Sequence, residues 1–339
     1  MTRGPMAVLK RVTVLSLVSL AAVVGSVLWH AYPSSEAVRL RNALLIDMPA
    51  VAFVDWTPQN VPASFKLEKL PVPEPMLSAA RAVAAKTNGT DLEVARALTA
   101  HLIIHATKGG RIDSFDVSET YRTILASGTG YCSDIIDSYI ALAQAAGLFV
   151  RPWAFSFDGF GGLGHIVVEI FDRQLDRWVM LDVFNNVQPL DRRTGQPVSV
   201  SEFRDTFVRS RENIVFSPIG PGRQEFKNYE KLEEYYYSGI DQWYFWNGNN
   251  VIDRANSPIV RIAENFREEL AELMSISVER FPKIIPLRSS KNRSALRQME
   301  DLRRFLMLSL FVGGALFFTS LSGIILILFH SFSFFENEI

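Results

Sequence analysis

Cys132, His165 and Asp182 are the residues whose types and order in the chain could do chemistry together. Cys132 is the only cysteine in 339 residues, so it closes no disulfide within the chain and builds no thiolate metal cluster. It is either a small buried hydrophobe or a working thiol. It follows Gly128-Thr-Gly-Tyr and precedes Ile136, Tyr139, Ile140 and Ala143, which recur at helical spacing before Gly147. That pattern predicts a helix over 133–146 with Cys132 in its first turn. Unpaired amides and the positive end of the helix dipole favour a thiolate there, and an adjacent imidazolium favours it more strongly. Asp134 works mildly against a second anion.

The elements that must position the other two residues follow directly. Residues 148–157 read as a strand, 158–164 as a glycine-rich loop, and 165–171 and 177–183 as two strands joined by a polar turn. If Phe171 pairs with Trp178, His165 and Asp182 project from one face as diagonal neighbours, roughly 7–8 Å apart at the backbone. A one-residue slip would separate them. The arrangement is then a nucleophile on a helix, a base on a strand and a carboxylate that orients the base. Glu169 shares the His165 face, either as a second carboxylate near the base or as a polar residue satisfied within the sheet. Trp178 shares the Asp182 face and is expected to shield the triad from water. Pro152 lacks a donor, so at that position its strand is expected to lie at an edge or a bulge. The alternating Trp153, Phe155 and Phe157 read as core.

Gly130-Tyr-Cys132-Ser-Asp134, Ala141-Leu142, Gly147-Leu-Phe-Val-Arg151, Gly164-His165-Ile-Val-Val-Glu169 and Trp178-Val-Met-Leu-Asp182 together resemble the core of the transglutaminase-like superfamily. The resemblance covers residues 85–190. It implies an α+β fold with a papain-like core, in which a helix bearing Cys132 packs on an antiparallel sheet bearing His165 and Asp182. It also implies a Cys-His-Asp triad acting on an amide bond without a cofactor or metal. Val183 stands where many relatives have proline. The side chain that completes the oxyanion hole has no clear counterpart: Tyr121 is a weak candidate beside the Cys132 amide.

Net charge is −1 and the charged fraction 21%, which gives no reason to expect a nucleic-acid partner. The two ends are apolar. Residues 12–29 and 305–329 carry no charge, and each exceeds or approaches the ~20 helical residues that span a bilayer. The first run follows Arg3, Lys10 and Arg11 and could be a cleaved signal; its length and the poor cleavage site at His30-Ala-Tyr-Pro favour an anchor. These basic residues place the N-terminus in the cytoplasm of a bacterial cell and the domain outside the inner membrane, whereas Arg293, Arg297, Arg303 and Arg304 argue the reverse. The first helix is taken to dominate. The chain then divides into an anchor (1–33), a proline-broken connector with a few packed apolar residues and the first helix (34–84), a catalytic core (85–210), an aromatic-rich extension with an amphipathic helix (211–300), and a second span with its tail (301–339).

Further helices are expected over 74–87, 91–108, 118–126 and 199–209, the second and fourth opened by the capping boxes Thr90/Glu93 and Ser199/Glu202. His101 and His105 share one helix face, but Leu102 stands where a zinc peptidase motif needs glutamate, so they read as packing residues. Tyr235-Tyr-Tyr237 and Trp243-Tyr-Phe-Trp246 anchor a long excursion or contact a ligand. Residues 258–280 form an amphipathic helix with Ile262, Phe266, Leu270 and Leu273 on one side. Two functions fit: a membrane-anchored thiol enzyme acting on a peptide or protein amide, by hydrolysis or by transfer to an amine; or a silent scaffold of the same fold that binds a membrane-protein partner through the aromatic segment and amphipathic helix.

Overall fold

Capping boxes and period-two runs are the strongest local signals in the chain, and the elements begin where they stand. The computed structural model describes residues 3–32, 34–49 and 54–336. It divides into a central unit, Leu45–Arg293, and a terminal unit made from the two chain ends. The chain opens with α1 (Arg3–His30) and α2 (Ser34–Leu45). Four helices of the central unit follow: α3 (Met76–Thr87), α4 (Asp91–His105), α5 (Val117–Ser127) and α6 (Cys132–Ala145). Then come β1 (Val150–Ser156), β2 (Gly164–Asp172), β3 (Arg177–Leu181), β4 (Val187–Asp191), α7 (Val200–Arg209) and β5 (Ile214–Pro218). The remaining elements are α8 (Tyr229–Ser238), β6 (Trp243–Trp246), α9 (Pro258–Glu264), α10 (Glu268–Ser277), β7 (Ile284–Pro286) and α11 (Arg293–Glu336). The class is α+β. Both expected capping boxes are present, at Thr90 with Glu93 and at Ser199 with Glu202. α4 stops at His105, short of the expected 108.

The main sheet is antiparallel, in the order β3-β2-β1-β6-β7, and β4 pairs with β5 in a separate ribbon. Alternation along the strands divides the core in two. Val150, Val168, Ile170, Val179 and Leu181 pack with α3 to α6 on one side. Trp153, Phe155, Val167, Phe171, Trp178 and Met180 pack with Phe203 and Phe207 of α7 and Leu232 and Tyr236 of α8 on the other. The sheet is thus covered on both faces.

β1 is internal to the sheet, but its pairing with β6 covers only Trp153 to Phe155, so at Pro152 the strand is open on that side, as the missing donor requires. The 34–84 connector packs a few apolar residues, as expected: Trp56 and Phe65 are buried, and residues 50–53 lie outside the described residues. Two expectations change. The sheet takes β6 and β7 from beyond residue 210, so the compact unit runs past that expected boundary. Finally, 258–280 is two helices, and Ile262, Phe266, Leu270 and Leu273 are exposed while Val260, Ala263 and Ala271 are buried.

In the terminal unit, α1 and α11 run antiparallel along each other. Thr13 lies against Gly323, Val23 against Gly313, and His30 against Phe305. A Cβ at Gly323 would fall 2.0 Å from Thr13 Oγ1, so only glycine allows this approach, the small-residue contact typical of helices packed in lipid. Gly4–His30 and Arg293–His330 are each long and apolar enough to cross a membrane.

Candidate functional site

Cys132 is the first residue of α6 and is half-buried. Two local devices place it. Gly128 ends α5 in the left-handed conformation, φ 69°, where a Cβ would meet Thr107 Oγ1 at 2.5 Å, so the turn is closed to larger residues. Asp134 Oδ2 then accepts from the Tyr131 amide at 2.8 Å, which fixes the helix entry. Burial, followed by nearby Asp137, raises the Asp134 carboxyl to about 6. The amide of Cys132, at the first helical position, has no acceptor within the helix.

His165 follows Gly164, whose Cβ would lie 2.3 Å from the Phe155 carbonyl; glycine here lets β2 begin tight against β1. The register is the expected one, Phe171 opposite Trp178, but the pairing ends at Leu181 and Asp182 bridges to Val187. His165 Nε2 lies 2.9 Å from both Asp182 oxygens. Asp182 Oδ1 also accepts from the Asn185 amide at 3.0 Å, and Oδ2 accepts from Asn185 Nδ2 at 2.7 Å and from the Tyr236 hydroxyl. Both members of the pair are buried. Burial by itself would push the imidazole down, but the Asp182 carboxylate, aided by a hydrogen bond and charge at Cys132, lifts His165 to about 10. Burial likewise opposes the Asp182 charge, and the imidazole with its Tyr236 and Asn185 donors holds it below the ordinary value. Because Nε2 is taken by Asp182, Nδ1 is the ring nitrogen left for the thiol. Phe155, Tyr235 and Phe184 surround the imidazole edge-on, with centroids at 5.7, 5.6 and 5.9 Å.

The other candidate residues are placed elsewhere. Tyr121 is buried and its hydroxyl meets His101 Nε2 at 2.8 Å, so it is withdrawn as an oxyanion donor, and His101 has a packing and bonding role. Glu169 is not a second carboxylate near the base: Oε2 accepts from Arg151 Nε at 2.6 Å and Trp153 Nε1 at 2.5 Å, and Oε1 from the Val200 amide at 2.6 Å. Trp178 does not cover the triad. Its Nε1 donates to the Trp56 carbonyl at 2.6 Å, and its ring lies under the Arg151 guanidinium at 3.8 Å. Among the described residues, no group of three His, Cys, Asp or Glu side chains is arranged to hold a metal ion.

Asn185 and Tyr236 were missed. Asn185 has a local signal, since a residue three beyond an aspartate can cap it with both amides. Tyr236 lies far along the chain inside the aromatic excursion, and only its presence in Tyr235-Tyr-Tyr237 drew notice. Together these groups supply what a thiol nucleophile requires: a fixed imidazole, a buried carboxylate that orients it, and a helix N-terminus beneath the sulfur. No protein-family model, no curated protein and no solved structure matches the chain.

Proposed function

We propose that the chain is a membrane-anchored, transglutaminase-like thiol enzyme with a papain-like core, which cleaves an amide bond through Cys132, His165 and Asp182. The observation that carries this reading is that one buried imidazole is bonded to the Asp182 carboxylate through Nε2 and lies near enough to Cys132, at the start of α6, for that residue to help hold its proton. Cys132 attacks the carbonyl carbon, His165 carries the proton and returns it to the leaving amine, and Asp182 orients the ring. Water as the acceptor completes hydrolysis; an amine would give transamidation. Hydrolysis is preferred because it needs no second substrate site. The membrane reading rests on α1 and α11, each of which is long and apolar enough to cross a bilayer. Arg3, Lys10 and Arg11 favour the cytoplasm for the termini and the outside of a bacterial inner membrane for the domain.

One observation favours a second reading, a binding module: the exposed apolar residues Ile262 and Phe266, at 61% and 74% exposure, mark a surface suited to a partner protein. The two are separated by incubating the full chain in detergent with glutamine peptides and short amide-linked peptides, with and without an added amine. The enzyme reading expects ammonia or a new amine terminus from the wild type and none from Cys132→Ala. Identical behaviour of the two proteins across the panel would favour the binding module.

A further inference from the structure

Attack of a thiolate on a carbonyl carbon moves an electron pair onto the carbonyl oxygen, which then needs donors already in place. The Cys132 amide is one. With Tyr121 committed to His101, the aromatic residues around the thiol and imidazole sort by what their polar ends do. Phe155 and Phe184 have none, and Tyr236 gives its hydroxyl to Asp182. Tyr235 differs from all of these. Its ring stands edge-on to His165 and is wedged against Phe155, Phe157 and Phe226 at 5.8, 5.1 and 5.2 Å. Its hydroxyl makes no hydrogen bond among the described residues, and the residue is only partly buried. Burial, then the charges of Asp182 and Cys132, raise the Tyr235 hydroxyl far above its ordinary value, so it stays protonated and remains a donor.

We propose that Tyr235 is the side-chain oxyanion donor, its hydroxyl hydrogen-bonding the carbonyl oxygen of the acyl group as Cys132 attacks. This rests on the thiol-enzyme reading and adds to it a residue from the aromatic excursion. With an aryl ester the step balances simply. The Cys132 sulfur bonds to the acyl carbon while the carbonyl π pair moves to oxygen. That pair then returns and expels the aryloxide, leaving acyl-Cys132.

Two probes separate this role from a structural one. 4-Nitrophenyl acetate reacts through an oxyanion and releases 4-nitrophenolate, whereas iodoacetamide alkylates the same sulfur by displacement at a saturated carbon and develops no oxyanion. Phenylalanine keeps every ring contact of Tyr235 and removes a hydroxyl with no protein partner, so the fold is retained, as an unchanged Tm verifies. In the full chain, Tyr235→Phe is expected to slow nitrophenolate release about 100-fold or more, the usual effect of losing one oxyanion donor, while the iodoacetamide rate stays within about twofold of wild type. Tyr235→Gln, which keeps a donor on a different frame, should regain part of the loss. Equal slowing of both reactions would make Tyr235 a support for the thiol–imidazole pair and overturn the proposal, as would no change in either. Failure of the underlying enzyme reading looks different: wild-type acetylation would then be indifferent to His165→Ala.

Discussion

His165 and Glu169 project from the same face of β2, and each is half of a buried pair of opposite charge, yet their surroundings are unlike. Glu169 is closed off. Both its oxygens are used by Arg151, Trp153 and Val200, and Arg151 spends its Nη1 on the Val54 carbonyl at 2.7 Å and its faces on the rings of Trp56 and Trp178. Asp182 is equally saturated, but its partner is not: after Nε2 has met the carboxylate, the His165 ring still has a nitrogen for Cys132. Buried charge is therefore a poor marker of a site by itself. The marker is a buried, titratable group with one valence left over, beside a nucleophile.

The difference can be broken from either side. The largest expected effect is His165→Ala, which should lower acyl transfer from Cys132 to a soluble ester by about 10²–10⁴-fold, the usual contribution of a positioned base, with little loss of folded protein by circular dichroism. Next comes Glu169→Ala, which leaves the Arg151 guanidinium buried without its carboxylate and should cost about 3–5 kcal/mol in urea unfolding. Replacing both members, as Arg151→Met with Glu169→Leu, should cost less than Glu169→Ala alone, because no unpaired charge remains. Tyr236→Phe is a smaller change. It removes one charged hydrogen bond to Asp182, worth about 1.5–3 kcal/mol, and should raise the Asp182 titration, which that hydroxyl helps to hold down, when followed by NMR.

The same pair also sets the pH dependence of stability. His165 has its native value raised above the ordinary 6.5, so its contribution is complete below 6.5 and is lost as pH rises toward about 10. Asp182 has its native value depressed below 3.8, so its contribution is present above 3.8 and is lost as pH falls through the native value. The difference in unfolding free energy between wild type and a His165→Ala, Asp182→Ala variant should be flat from about pH 4 to 6.5 and shrink above that. A difference that grows toward pH 10 would contradict the assigned charges.

What was legible in the sequence was local. Period 3.6 around Ile136 and Tyr139 located α6, and the hairpin register through Phe171 and Trp178 brought His165 to Asp182. The partner of Glu169 was legible in principle: Arg151 lies directly opposite it across β1 and β2. The register of that second hairpin depends on the length and shape of the 158–163 loop, which no local pattern fixes. Trp178 was misplaced because sharing a strand face with Asp182 says nothing about which end of the strand a neighbour occupies. Tyr236 and β6 were out of reach for another reason. They return to the sheet after a long excursion, and the aromatic residues that mark the return serve core and ligand equally well.

The account's central claim, that Cys132 and His165 form a working pair, is tested most directly by the iodoacetamide alkylation rate of the full chain across pH, in wild type and His165→Ala. The single cysteine gives a readout with no background. A working pair predicts rapid alkylation persisting well below the ordinary thiol value of about 8.5 in the wild type, and a rate that falls away below about 8.5 in the variant. The same curve in both proteins would contradict it.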